Sequence, residues 1–190
     1  MNRDSRRAVF LDRDGVLNAL VWRDGSAVSP RRSEDFRLIE GADEAVRRLR
    51  ARGLLVFVVT NQPDVARGYL PCAELDAMSA TLARSLPVDE IAVCPHDDAD
   101  GCSCRKPKPG LLVGLAERWR VDLGRSFVVG DSWKDVEAGR RAGCRTILIA
   151  EGGPGDAVPD LTVATLGEAT AAIEKELDAM DERGADGLRP

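Results

Sequence analysis

The chain alternates short, largely apolar runs with longer stretches whose apolar residues recur every three or four positions. The runs at 8–11, 54–59, 91–93, 126–129 and 145–150 are rich in valine, isoleucine and phenylalanine. They predict strands, and the continuous run at 54–59 predicts a central strand buried on both faces. The intervening segments 42–52, 73–86, 110–120, 133–142 and 168–180 predict helices. In the first of these Val46 and Leu49 share one face, arginines occupy the others, and Gly53 supplies the stop. Strands alternating with helices of this size imply βαβ units. The expected class is α/β, with a doubly wound, mostly parallel sheet and helices on both faces. No internal repeat or low-complexity tract interrupts 1–180, which reads as a single domain. The charged, Gly-containing segment 181–190 reads as a disordered tail. The connection 18–37 is long and reads as a functional loop, with no large cap domain.

Composition narrows the function classes. With 190 residues, 44% of them hydrophobic, the chain can bury one substantial core. A net charge of −5 argues against binding a nucleic-acid backbone. An aromatic content of 4% argues against a base-stacking platform. No run approaches the roughly 20 apolar residues that span a bilayer. The charged start and the short apolar run after it do not make a signal peptide. The expectation is a cytoplasmic protein with neither membrane nor nucleic-acid partner. Five cysteines in a reducing compartment argue against a disulfide framework. A monomer is expected, because no apolar surface stripe is left over.

The candidate chemistry lies at the strand ends. Three interior runs close on Asp12, on Thr60-Asn61 and on Gly130-Asp131. In an open α/β sheet these ends share one edge, where ligands bind. Asp12 and Asp14 are spaced i, i+2. On a continuing strand they point the same way and Arg13 faces elsewhere. Paired acids repel unless a divalent cation or a shared proton offsets them. Alone, Asp12-Arg13-Asp14-Gly15 also fits a solvated turn. Three converging polar strand ends fit one site better.

A second cluster, Cys94, His96, Cys102 and Cys104, gathers three of the five cysteines and the only histidine. Thiolates and an imidazole in two short-spaced pairs suit tetrahedral Zn²⁺. Four protein ligands leave no open position, so such a zinc is structural and staples the loop. Cys72 and Cys144 read as small core or helix-face residues.

Taken in order, Asp12-Arg13-Asp14-Gly15, Thr60-Asn61-Gln62, Arg105-Lys106-Pro107 and Gly130-Asp131-Ser132-Trp133-Lys134-Asp135 resemble the four motifs of the haloacid dehalogenase (HAD) superfamily. Residues 11–18, Ala66-Arg67-Gly68 and the cysteine-histidine loop are similar to the D-glycero-D-manno-heptose 1,7-bisphosphate 7-phosphatases within it. The resemblance implies a HAD Rossmann-like fold and Mg²⁺-dependent hydrolysis of a small phosphorylated sugar. It implies Asp12 as nucleophile, Asp14 as general acid and base, and Thr60 and Lys106 on the phosphoryl group. Mg²⁺ is implied at Asp12, the Asp14 carbonyl and Asp131, with Asp135 supporting it from behind. Asn61, Gln62, Arg67 and Arg105 are implied substrate contacts. Asp135 equally fits an early-helix acid favoured by the helix dipole. Lys106 and Arg105 also fit surface roles, and Arg67 also fits a loop brace.

The match departs at three places. Pro63-Asp64 stands where Ser-Gly is usual, Ser132 where a lysine or arginine is frequent, and 19–24 lacks an Asp-His-Gly-Tyr pattern. Alternatives are histidinol-phosphate phosphatase, another sugar-phosphate phosphatase, or a non-catalytic zinc-stabilised interaction domain.

Overall fold

Side-chain alternation within β1 (Ala8–Leu11) fixes the architecture: Val9 and Leu11 enter one apolar core, Ala8 and Phe10 the other. A strand with no exposed face belongs in the middle of a sheet covered on both sides. The computed structural model, which describes residues 5–150 and 158–186, places it there. β4 (Leu55–Asn61) and β6 (Phe127–Gly130) flank β1, both parallel to it. β5 (Glu90–Cys94) lies outside β4, and β7 (Arg145–Ile149) and β8 (Leu161–Val163) lie beyond β6. The order is β5-β4-β1-β6-β7-β8, and every pairing is parallel.

Helices cover both faces, as expected. On one, α1 (Ala42–Ala51), α3 (Cys72–Ser85) and α6 (Leu166–Asp186) pack Leu49, Met78 and Ile173 against Val56, Val58 and Val129. On the other, α4 (Gly110–Trp119) and α5 (Trp133–Ala142) bring Leu112, Leu115 and Ala138 onto Phe10, Phe57 and Val128. The Phe57 ring touches Phe10 and Trp119, with centroids 5.4 and 5.6 Å away. The chain steps from β1 to β4 on one side and later returns to β6 on the other. A crevice therefore opens at the carboxyl ends of β1, β4 and β6.

Several elements differ from the sequence expectation, among them the short edge strand β8, which no apolar run predicted. The 18–37 connection contains a hairpin, β2 (Val21–Arg23) and β3 (Ser26–Val28), closed by Asp24 and Gly25 at φ 51° and 78°. This is the positive-φ pair of a two-residue turn, and no larger cap is present among the described residues. A single helical turn, α2 (Pro63–Ala66), follows β4. α6 continues through Asp186, into the segment expected to be a disordered tail; Arg183 pairs with Glu176 on its exposed face, and Asp181 pairs with Arg7. Residues 187–190 of that expected tail lie outside the described residues. Among the described residues no helix is long and apolar enough to cross a membrane.

Phe57 is fully buried and Trp22 is 80% exposed. Phe57→Ala is expected to cost about 3–5 kcal/mol of stability. Trp22→Ala should cost less than about 0.5 kcal/mol. Denaturant titration of both variants checks the assignment of core and surface.

Candidate active site

The chain leaves β1 at Leu11, so Asp12 stands where the sheet ends. Its Oδ1 accepts a hydrogen bond from Lys106 Nζ at 2.6 Å. The same ammonium donates to the Val59 carbonyl at 2.8 Å and to Asp135 Oδ1 at 2.5 Å. All three of its N–H bonds are thus used on three elements: the end of β1, β4 and α5. Asn61 fixes the lysine's backbone from both sides, since its Nδ2 donates to the Lys106 carbonyl and its Oδ1 accepts the Lys106 N–H, each at 3.0 Å.

Asp14 sits behind Asp12 in a closed ring of donors. Arg13 Nη2 lies 3.0 Å from both of its oxygens, Asn18 Nδ2 3.0 Å from Oδ1, and Gln62 Nε2 2.7 Å from Oδ2. Here the expectation for Arg13 is corrected. The strand stops before it, so the two-residue alternation no longer applies. Its guanidinium turns back, fully buried, onto Asp14 and the Phe36 ring. Gln62 Nε2 also donates to Thr60 Oγ1 at 2.8 Å, which leaves the threonine hydroxyl proton free to donate elsewhere.

Asp131 follows β6, and Asp135 lies in the first turn of α5, capped by Ser132. Carboxylate oxygens of Asp12, Asp131 and Asp135 all lie within 4.8 Å of one another. Burial pushes the Asp12 carboxyl up to about 8, against the pull of Lys106, and Asp135 and Asp14 act in the same upward direction. Burial and Asp135 push Asp131 up to about 6. Burial opposes the charge on Lys106, yet Asp12 and Asp135 outweigh it and hold the ammonium above the usual lysine range. Among the described residues these four acids form ion pairs with two cations, the buried Lys106 and Arg13. The uncompensated charge matches one divalent ion, and the all-oxygen donor set suits Mg²⁺.

The cysteine-histidine loop closes on itself. Cys94 Sγ lies 3.7 Å from Cys102 Sγ and 3.2 Å from Cys104 Sγ, and the latter two are 3.5 Å apart. His96 Nδ1 is 3.6 and 3.3 Å from Cys94 and Cys104. Ligands bound tetrahedrally to one zinc stand about 3.5–3.8 Å apart, and a disulfide requires about 2.05 Å. The four groups therefore fit a zinc site and not a pair of disulfides. Burial pushes the Cys94 thiol up to about 12. For Cys102 burial also acts upward, but the Arg105 N–H and the neighbouring sulfurs outweigh it and hold it down at about 7.

A pocket of about 510 Å³ opens above the acids. It falls in the size range of small-ligand sites, about 300–1,000 Å³. Asp12, Asp14, Thr60, Asn61, Gln62, Arg67, Arg105, Lys106, Asp131 and Asp135 all line it. Arg67 and Arg105 have carboxylate partners of their own. Arg67 donates to both oxygens of Asp97 at 2.6 and 2.8 Å, and Arg105 Nε donates to Asp98 at 2.6 Å. Both arginines brace the zinc-type loop. The β2–β3 hairpin supplies the opposite wall through Leu20, Ala27 and Val28. Arg13, Asn18 and Arg31 were not foreseen. The available signal for Asn18 was its place at the end of the 11–18 segment that carries the family resemblance.

Gly15 has φ +82°, and a Cβ there would meet Asp131 Oδ2 at 2.0 Å. Gly15→Ala is thus expected to displace Asp131. A loss of Mg²⁺ affinity of about tenfold or more, with unchanged far-UV circular dichroism, is the expected calorimetric result.

The HAD-hydrolase-like family model matches residues 103–169. A D-glycero-β-D-manno-heptose-1,7-bisphosphate 7-phosphatase of Pseudomonas aeruginosa is 41% identical over 154 residues, covering 78% of this chain and 83% of the relative. A D-glycero-α-D-manno-heptose-1,7-bisphosphate 7-phosphatase of Campylobacter jejuni is 36% identical over 148 residues, covering 75% and 81%. The crystal structure of D,D-heptose 1,7-bisphosphate phosphatase from Bordetella bronchiseptica, complexed with magnesium and phosphate, superposes with a TM-score of 0.75 at 32% identity, covering 90% of this chain and 99% of that one. Its own motifs and these likenesses together show that the chain belongs to the HAD-type heptose-bisphosphate phosphatase family of hydrolases.

Proposed function

We propose that the chain removes the 7-phosphate of D-glycero-D-manno-heptose 1,7-bisphosphate through an aspartyl-phosphate on Asp12. The observation that carries the reading is the Asp12 carboxylate, fixed by Lys106 at the sheet edge with Asp14 alongside. The names of the relatives support the substrate, and the magnesium and phosphate bound by the Bordetella protein support the metal and the chemistry.

Asp12, Asp131 and the Asp14 carbonyl would hold Mg²⁺, which supplies positive charge between nucleophile and phosphate. An oxygen of Asp12 bonds to phosphorus as the bond to the sugar oxygen breaks. Asp14 delivers a proton to that departing oxygen. It then takes a proton from the water that attacks phosphorus, and the Asp12–phosphorus bond breaks to release inorganic phosphate. Thr60 donates its free hydroxyl proton to the phosphoryl group. Lys106 orients Asp12 and offsets charge as it builds up. Asn61 and Gln62 position Lys106 and Asp14. Cys94, His96, Cys102 and Cys104 would hold a structural Zn²⁺ that fixes the loop leading into Lys106. The free cysteines are in keeping with work in the reducing cytoplasm, and the enzyme is read as a monomer.

Mg²⁺-dependent phosphate release should be measured on both heptose bisphosphate anomers and on histidinol phosphate. One heptose anomer is expected to be preferred, and Asp12→Asn to abolish turnover with the fold intact. Preference for histidinol phosphate, or unchanged turnover in Asp12→Asn, contradicts the reading.

Cysteine alkylation tests the zinc. In metal-loaded protein iodoacetamide should label exposed Cys72 alone. Chelation should add Cys102 and Cys104, while Cys94, fully buried and with its thiol pushed up to about 12, should lag behind them. Cys144, buried and with its thiol pushed up to about 12, should stay unlabelled in both. Peptide mass spectrometry reads the result, and labelling of Cys102 or Cys104 before chelation contradicts the assignment.

A further inference from the structure

Five basic side chains line the pocket: Arg31, Arg67, Arg105, Lys106 and Lys134. Three are engaged at their charged ends. Lys106 holds Asp12 and Asp135, Arg67 holds Asp97, and Arg105 holds Asp98. Arg31 is different. Its Nε donates to Asp64 Oδ2 at 2.6 Å, and its guanidinium stacks 4.7 Å from the centre of the Tyr69 ring. These contacts set the plane and one edge of the group. Among the described residues its two Nη atoms have no hydrogen bond, and its side chain is 30% exposed.

The support for Arg31 is itself anchored. The Asp64 carbonyl accepts the backbone N–H of Tyr69 at 2.8 Å and of Leu70 at 2.9 Å, so one short loop presents both the carboxylate and the ring. Arg67 Nη1 also reaches Asp64 at 3.6 Å. With Asp97 on Arg67, the two carboxylates match the two guanidinium charges, and what Arg31 still offers is its pair of unbonded terminal N–H groups. Lys134, on the other wall, lies 6.0 Å from the Trp133 ring and has no salt bridge among the described residues. Among the described residues Lys134 is therefore the one cation of the mouth without an ion pair, Arg31 is the one arginine there whose terminal nitrogens are unbonded, and the floor at Asp12, Asp131 and Asp135 is acidic. A guanidinium held by one edge, with its terminal N–H bonds free, has the geometry for an oxyanion.

We propose that Arg31 is a specificity-determining residue that reads a second, non-reacting phosphate on the substrate whose reacting phosphate lies at Asp12. This rests on the phosphatase reading above and deepens it. Arg31 stands just past the β2–β3 hairpin, and Asp64 stands where the family pattern has glycine. The pair gives one of the sequence departures a role: Asp64, in the substituted turn, holds a cation supplied from the connection after the hairpin.

The test uses a matched pair of substrates, heptose 1,7-bisphosphate and heptose 7-phosphate, with wild type, Arg31→Ala and Arg31→Lys. The readout is the ratio of kcat/KM for the bisphosphate to that for the monophosphate. Wild type is expected to prefer the bisphosphate. In Arg31→Ala the ratio should fall about 10- to 100-fold, mainly through KM, as expected for loss of charge-assisted hydrogen bonds to an anion. Arg31→Lys, which keeps the charge and loses the fork, should fall part of the way. Wild-type preference retained within about threefold in Arg31→Ala overturns the role of Arg31 and leaves the substrate reading standing. A wild-type enzyme with no preference for the bisphosphate overturns the substrate reading, and the role of Arg31 with it.

Discussion

One buried ammonium organises this molecule. Lys106 Nζ bonds Asp12, Val59 and Asp135, so three separate segments meet at a single charge. A lysine so deeply buried persists only with full compensation, and its two carboxylates supply that. In return they are held apart from each other and aimed at the pocket. The sheet makes the arrangement possible. β1, β4 and β6 are adjacent and parallel, so their ends deliver Asp12, Thr60 and Asp131 to one edge. Gly15 and Gly130 then allow the acids to pack where any Cβ would collide with Asp131 or Asp135.

The cysteine-histidine loop extends this order outward. It has little core of its own, and Cys94 is the one buried residue among its four ligand-type side chains. Cys104 leads directly into Arg105 and Lys106, so fixing the loop fixes the lysine. Arg67 and Arg105 tie Asp97 and Asp98 of the same loop to the pocket wall. The arginines that a motif comparison assigns to substrate are thereby also structural struts. The least committed arginine of the wall, Arg31, comes from the hairpin side.

The parallel sheet, the two helical layers and the metal-type clusters were legible because each rests on local pattern. Unbroken apolar runs mark buried strands, and ligand-type residues at short spacing mark a metal loop. What was not legible depends on contacts between distant segments. Arg13 was expected to face away, because strand alternation was carried past Leu11, where the strand had ended. The hairpin carried an Asp-Gly turn signal, but its strands have three residues each and are partly exposed, too short for a periodic pattern. β8 is an equally short edge strand. Asn61 and Gln62 were visible as site residues, but their partners Lys106 and Asp14 lie far along the chain. Nothing local links Arg31 to Asp64.

The central claim is that the carboxylate held by Lys106 becomes covalently phosphorylated. The most direct measurement is an acid-quenched single turnover with heptose 1,7-bisphosphate and Mg²⁺, followed by borohydride reduction and peptide mass spectrometry. The account predicts a reduced acyl-phosphate at Asp12 and at no other carboxylate, formed only with Mg²⁺. Complete turnover with no modification at Asp12, or with the modification on another residue, would contradict it.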